Sequence, residues 1–277
     1  MGRLLIVRPD KALEQALRGV PSLSQHDVDC CEGNVEAVRR IRGRPVDVLL
    51  TDPLTTVTED LALAAELRET QPGIRIIVLA PAASHDDVVN ALKAHVFACF
   101  TAPFDHSEVV AMARAALDAA NWRDGIEVLS GLPYWITLRV SCHLLTAERL
   151  VRFMTEHAST LPTGDRDLLL TAFREMLLNA MEHGAGFDAA KVIEVTAAQT
   201  ARAIVYHFRD PGDGFDRADL AHAVASTNPD AVVKSAARRA EQGLRPGGFG
   251  LLIARQIVDE LVFNERGNEV LLIKHLA

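Results

Sequence analysis

Short apolar runs alternate with helical patterns through the first 120 residues. Residues 3–7 (Arg-Leu-Leu-Ile-Val) form the first run, a helical pattern covers 10–18, a second run 27–31 and a second helical pattern 34–43. The alternation continues through a strand at Val46–Leu50, a helix near 59–70, a strand at Ile74–Leu79, a helix near 86–94, a strand near 96–101 and a helix at 106–120. Side chains along a strand point to opposite faces, so a strand apolar at every position is buried on both. Five such βα units predict a parallel sheet covered by helices on each side.

The rhythm breaks at Asn121-Trp122-Arg123-Asp124-Gly125 and again at Gly131-Leu132-Pro133, both rich in turn formers. These breaks predict a first domain over 1–121, a linker over 122–133 and a second domain over 134–277. In the second domain the pattern predicts a strand at 134–141, helices at 147–158 and 166–184, and strands at 191–198 and 202–209. A long polar region at 211–246, a helix at 249–261 and a last strand at 269–275 follow. Two strands joined by Gln199-Thr200 read as a hairpin, so this sheet is expected to be mostly antiparallel with helices on one face. Both domains are of the α/β class, and no internal repeat relates them.

Composition adds bounds. The 277 residues suit two cores, and 49% apolar with 24% charged residues is a globular balance. A formal charge of −8 argues against direct nucleic-acid binding, which needs a concentrated basic surface. Apolar runs fall short of the roughly 20 residues of a membrane span, and the N-terminus opens a strand rather than a cleavable signal, so a cytoplasmic protein is expected. Cys30, Cys31, Cys99 and Cys142 lack metal-ligand spacing and read as small buried residues.

In the first domain, Asp52 ends the third strand, Val48-Leu49-Leu50-Thr51-Asp52, where ligands collect in parallel α/β sheets. The five units resemble a response-regulator receiver domain, a flavodoxin-like fold, over about residues 3–120, and Asp52 matches that family's phosphate-accepting aspartate. Receivers carry acidic residues after the first strand to hold Mg²⁺, but Arg8-Pro9 stand here, with Asp10 beyond. The family's Ser/Thr after the fourth strand matches Ala80, and its lysine matches Ala102. A transferring phosphoryl group would lose most of its electrostatic stabilisation in such a site. Asp52 is therefore read as a strand-end aspartate bonding local backbone, in a domain that docks partners or forms a homodimer.

Three segments of the second domain carry chemistry. Glu175, Asn179 and His183 recur every four residues on an apolar helix and share one face. Next, Asp210-Pro211-Gly212-Asp213-Gly214-Phe215 follows a strand; its carboxylate suits an exocyclic amine, and its glycines allow close backbone approach. The third, Pro246-Gly247-Gly248-Phe249-Gly250, opens a helix whose N-terminal amides and dipole suit phosphate.

In this order the segments resemble the N, G1 and G2 boxes of the GHKL ATPase superfamily (Bergerat fold), over about 134–277. The resemblance implies Mg²⁺-ATP binding, with Asn179 as the Mg²⁺ ligand. It implies a nucleotide-contacting set of Asn179, His183, Asp210, Gly212, Gly214, Phe215, Arg245, Gly247, Gly248, Phe249 and Gly250, with a lid between Phe215 and Gly247. Chain length and the helix Glu175–Gly184 resemble the short anti-sigma-factor serine kinases of the RsbW and SpoIIAB type. In those, the match to Glu175 is the general base toward a serine of an anti-anti-sigma (STAS) partner, and a sigma factor is a further partner. Pro246 stands where the family has a lid arginine, with Arg245 one residue earlier. Two functions follow: a serine/threonine kinase acting on an anti-anti-sigma-like protein, or a non-catalytic ATP-dependent protein-binding switch.

Overall fold

The computed structural model describes residues 2–119, 122–132, 134–214 and 250–276. It divides into two compact units, Met1–Asp124 with Arg152–His157, and Gly125–Val151 with Ala158–Ala277.

In the first unit, strands β1 (Arg3–Val7), β2 (Asp27–Cys31), β3 (Val48–Leu50), β4 (Arg75–Ala80) and β5 (Ala98–Thr101) pair in parallel in the order β2-β1-β3-β4-β5. Leu4–Val7, Val48–Leu50 and Ile76–Ala80 are buried without interruption, as two covered faces require. The edge strand β2 differs. It carries Asp27 and Asp29, which pair with Arg3, Arg40 and Arg44, and a charged edge discourages further strand pairing.

Local sequence sets where the helices begin. Asp10 caps α1 (Lys11–Gly19) by accepting from the Leu13 amide at 2.7 Å. Capping boxes start α3 (Val57–Thr70) at Thr56/Glu59 and α4 (His85–Lys93) at Ser84/Asp87. Asp105 starts α5 (His106–Asp118), while α2 (Asn34–Gly43) follows Gly33 with no side-chain cap. From β1 the chain runs out to β2 and returns on the other side as β3, so the crevice beyond β1 and β3 is the topological switch point. Arg8 and Asp52 leave the sheet there.

Asp60 of α3 braces the neighbouring turn. It is fully buried and accepts from the Thr51 hydroxyl at 2.6 Å and the Thr55 hydroxyl at 2.7 Å. The Thr51 hydroxyl in turn accepts from the Leu79 amide at 3.0 Å, which ties β3 to the end of β4. Burial outweighs these hydrogen bonds and raises the Asp60 carboxyl to about 6.

In the second unit, β6 (Ile126–Leu132), β7 (Trp135–Ser141), β8 (Val192–Gln199), β9 (Ala203–Arg209), β10 (Glu260–Phe263) and β11 (Glu269–His275) form an antiparallel sheet in the order β10-β11-β9-β8-β7-β6. One face is apolar: Ile136, Leu138 and Val140 of β7, Ile193, Val195 and Ala197 of β8, and Ile204, Tyr206 and Phe208 of β9 are buried. Helix α6 (Leu144–His157) precedes α7 (Thr163–Asn179), which packs on β9 and β11 and against α8 (Gly250–Ile257). Phe173 of α7 meets Tyr206 at 4.8 Å and Phe208 at 5.0 Å between ring centroids.

Three sequence expectations need correction. The linker at 122–133 contains β6, an edge strand whose alternation is broken by a bulge between Val128 and Ser130. The helix expected over 166–184 ends as an α-helix at Asn179 and continues as a π-type turn, Ala180–Gly184. The helix expected over 249–261 stops at Ile257, and Glu260–Phe263 pairs with β11 as a strand.

Two measurements test these features. The Tyr206 hydroxyl is buried with no hydrogen-bond partner among the described residues, so Tyr206→Phe is expected to leave stability unchanged or raise it by up to about 1 kcal/mol. Denaturant unfolding checks this, and a clear loss contradicts it. The folded chain holds the Asp60 proton more tightly than the unfolded chain does. Asp60 therefore favours folding fully below about pH 4 and costs about 3 kcal/mol once pH passes 6. The stability difference between wild type and Asp60→Asn, followed from pH 4 to 7, is expected to shift in favour of the variant. A pH-independent difference rules this out.

Candidate functional site

The second unit gathers its polar groups at the end of α7 and the C-terminal end of β9. Asp210 follows β9 and is half-buried. Its amide donates to the Asn268 carbonyl at 3.0 Å, and the Asn268 side chain donates back to the Asp210 carbonyl at 3.3 Å. The Gly212 amide donates to Asp210 Oδ1 at 2.8 Å. Burial raises the carboxyl above the ordinary aspartate range, while the Gly212 amide, Arg266 and His183 oppose that shift.

Gly184, at the end of the π-type turn, packs directly on this carboxylate. A Cβ there would overlap Asp210 Cγ and Oδ1, and a Cβ on Gly212 would lie 2.9 Å from Gly184 Cα. Gly214 has φ of +83°, and a Cβ there would overlap the Arg266 carbonyl, so glycine is required on both counts. The first two segments therefore meet: the glycine closing the α7 segment and Gly212 bring backbone within contact of one carboxylate.

Further back along α7, Glu175 reaches the start of α8. A Cβ on Gly250 would overlap Glu175 Oε2, so the last glycine of the third segment lies against this carboxylate. Glu175 is partly exposed and lies 3.8 Å from Arg174 Nη1. Asn179 is the last α-helical residue of α7 and is partly exposed, while His183 is exposed and near enough to act on the Asp210 charge. Phe215, Arg245, Gly247, Gly248, Phe249 and the expected lid lie outside the described residues.

The turn between β10 and β11 was not foreseen as part of the site. Asn264 Oδ1 accepts from the backbone amides of Gly267 (2.7 Å), Asn268 (3.1 Å) and Glu269 (3.2 Å), and Asn264 Nδ2 donates to Asn268 Oδ1 at 2.9 Å. This closed turn fixes Asn268 and, through it, the backbone of Asp210. Its signal was the Asn264-Glu-Arg-Gly-Asn268 sequence, which carries the residues of a side-chain-closed turn.

In the first unit, Asp52 is 5% exposed. Its Oδ1 accepts from the Leu54 amide at 3.0 Å, the local backbone bond expected from sequence, and its Oδ2 accepts from Arg8 Nε at 3.1 Å.

Comparison with known proteins separates the two halves. The histidine kinase-like ATPase domain family matches residues 142–274. The transcriptional regulatory protein GlrR of Escherichia coli (strain K12) is 27% identical over 135 residues, covering 47% of this chain and 30% of that protein. Response regulator MprA of Mycobacterium avium (strain 104) is 29% identical over 125 residues, covering 45% of this chain and 55% of that protein. The chain thus spans less than two thirds of either relative. Similar solved structures include a CheY-like receiver domain protein from Methanospirillum hungatei JF-1, at 21% identity over 43% of this chain and 94% of that one, with a TM-score of 0.36. Another is a two-component response regulator from Clostridium difficile, at 19% identity over 44% of this chain and 100% of that one, with a TM-score of 0.37. Among the described residues no helix is long and apolar enough to cross a membrane. The C-terminal half of the chain is thus similar to histidine kinase-like ATPase domains, and the N-terminal half is similar to response regulators.

Proposed function

We propose that this protein is a signalling regulator that binds Mg²⁺-ATP in its C-terminal domain and transfers the γ-phosphoryl group to a serine or threonine of an anti-anti-sigma-like (STAS) partner. The Asp210 cradle is the observation that carries the nucleotide reading. A half-buried carboxylate that accepts from Gly212, with Gly184 closing on it where no side chain fits, is a positioned hydrogen-bond acceptor. An exocyclic amine on a flat base is the complement of such an acceptor.

Phosphate and metal would be held further along the same helix. Asn179 offers a neutral amide oxygen, and Mg²⁺ commonly takes one or two protein ligands with the remainder from phosphates and water. Such an ion, when bound, neutralises charge on the transferring phosphoryl group. Glu175 supports the kinase reading. It is partly exposed, carries a carboxylate able to accept a hydroxyl proton, and abuts the first turn of α8, where backbone amides favour phosphate. A sigma factor bound alongside the phosphorylatable partner, and a receiver domain used for docking or for pairing two chains, complete the proposal.

Phosphoryl transfer separates kinase from switch. With labelled ATP and an anti-anti-sigma protein, wild type is expected to give serine or threonine phosphorylation, and Glu175→Gln to slow it by about 10²-fold or more with ATP affinity retained. ATP binding by wild type without any transfer leaves the ATP-dependent binding switch in its place. For the site itself, Gly184→Ala displaces Asp210 and is expected to weaken ATP by about 10- to 100-fold. Asn179→Ala is expected to remove the Mg²⁺ dependence of ATP binding. Calorimetric affinities equal to wild type for both variants would refute the assignment.

A further inference from the structure

The receiver fold implies a divalent cation beside its strand-end aspartate, and the residues present do not fit one. Of the Asp52 carboxylate, Oδ1 is taken by the Leu54 amide at 3.0 Å and Oδ2 by Arg8 Nε at 3.1 Å. Asp10, the acidic residue nearest along the chain after β1, is committed elsewhere. Its Oδ1 caps α1 through Leu13, and its Oδ2 lies 3.3 Å from His106 Nε2. Glu36, at the start of α2, is turned to Arg40 Nε at 2.8 Å and to the Glu32 amide at 3.0 Å. The crevice beside Asp52 is a cavity of about 430 Å³ lined also by Arg8, Arg39, Glu32, Glu36, Asn34 and Thr55. Two guanidinium groups share this lining with its oxygen donors, and one of them, Arg8, sits directly on Asp52.

Arg8 itself is held in an unusual conformation. Its φ is +44°, the left-handed region that a residue with a Cβ rarely adopts. The Arg8 amide is fixed to the Cys31 carbonyl at 2.8 Å. Its side chain is 47% exposed, whereas that of Asp52 is 7% exposed, so the guanidinium reaches from the rim of the crevice onto a buried acid. A buried carboxylate needs a compensating charge, and Arg8 is the cation that supplies it.

We propose that Arg8 is a built-in counter-ion that takes the place of the divalent cation, holding Asp52 in a metal-independent form that phosphodonors do not modify. Magnesium then enters this protein's function only through the nucleotide domain. The N-terminal domain keeps one charge state at its switch point whatever the metal or phosphodonor supply.

Three measurements on the nucleotide-free full chain test this. Calorimetric titration of wild type with MgCl₂ up to about 10 mM is expected to show no saturable binding; binding that Asp52→Asn abolishes overturns the proposal. Incubation with acetyl phosphate and MgCl₂ is expected to leave Asp52 unmodified by mass spectrometry, and stoichiometric modification there overturns it as well. Third, Arg8→Met is expected to lower the unfolding midpoint of the N-terminal domain by about 5 °C, through an unpaired buried carboxylate. Adding Asp52→Asn to Arg8→Met is expected to recover more than half of that loss. Additive effects of the two substitutions would show that the guanidinium does not compensate Asp52.

Discussion

Withdrawing Asp210 from water is the constraint around which the junction of α7 and β9 in the C-terminal domain is arranged, because a half-buried carboxylate must be met by donors and kept clear of bulk. Gly212 supplies a donor at 2.8 Å, and Gly184 supplies clearance by having no side chain. The backbone of Asp210 is held on both its amide and its carbonyl by Asn268, which a closed asparagine turn holds in place. The aromatic contact of Phe173 with Tyr206 and Phe208 fixes α7 against the strand that ends in Asp210. Position and polarity of the acceptor thus rest on packing some distance from it.

The two domains handle a strand-end aspartate in opposite ways. Asp52 is neutralised by a guanidinium and a backbone amide, which closes the site to cations. Asp210 meets the Gly212 amide and packs against Gly184, and burial holds its carboxyl above the ordinary aspartate range. The same residue type at the end of a strand therefore meets a charged side chain in one half and packed backbone in the other. What distinguishes them is that a guanidinium bonds Asp52 directly at 3.1 Å, whereas Arg266 acts on Asp210 through its field.

Much of this was legible in the sequence because it was local. The apolar runs of β1, β3 and β4 need no partner to be recognised, and the glycines after Asp210 announce close backbone approach. What was missed depends on pairing. Strand β10, Glu-Leu-Val-Phe, continues the periodicity of the preceding helix and becomes a strand only because β11 lies beside it. Strand β6 was hidden by a bulge and by Gly131. Arg8 was read as a missing acid; that it lands on Asp52, 44 residues away, is a tertiary fact. The turn from Asn264 to Asn268 carried a readable local signal but nothing to connect it with Asp210.

The π-type turn at Ala180–Gly184 also sets the angular register of the end of α7. Glu175 and Gly184 are nine residues apart, and at about 100° per residue an unbroken α-helix would place them on opposite sides of its axis. A π turn takes an extra residue per turn, so five such residues fall behind by roughly a quarter revolution. Gly184 is thereby swung back toward the side that carries Glu175. A single helix can then address the start of α8 with one end of its last turns and the Asp210 slot with the other.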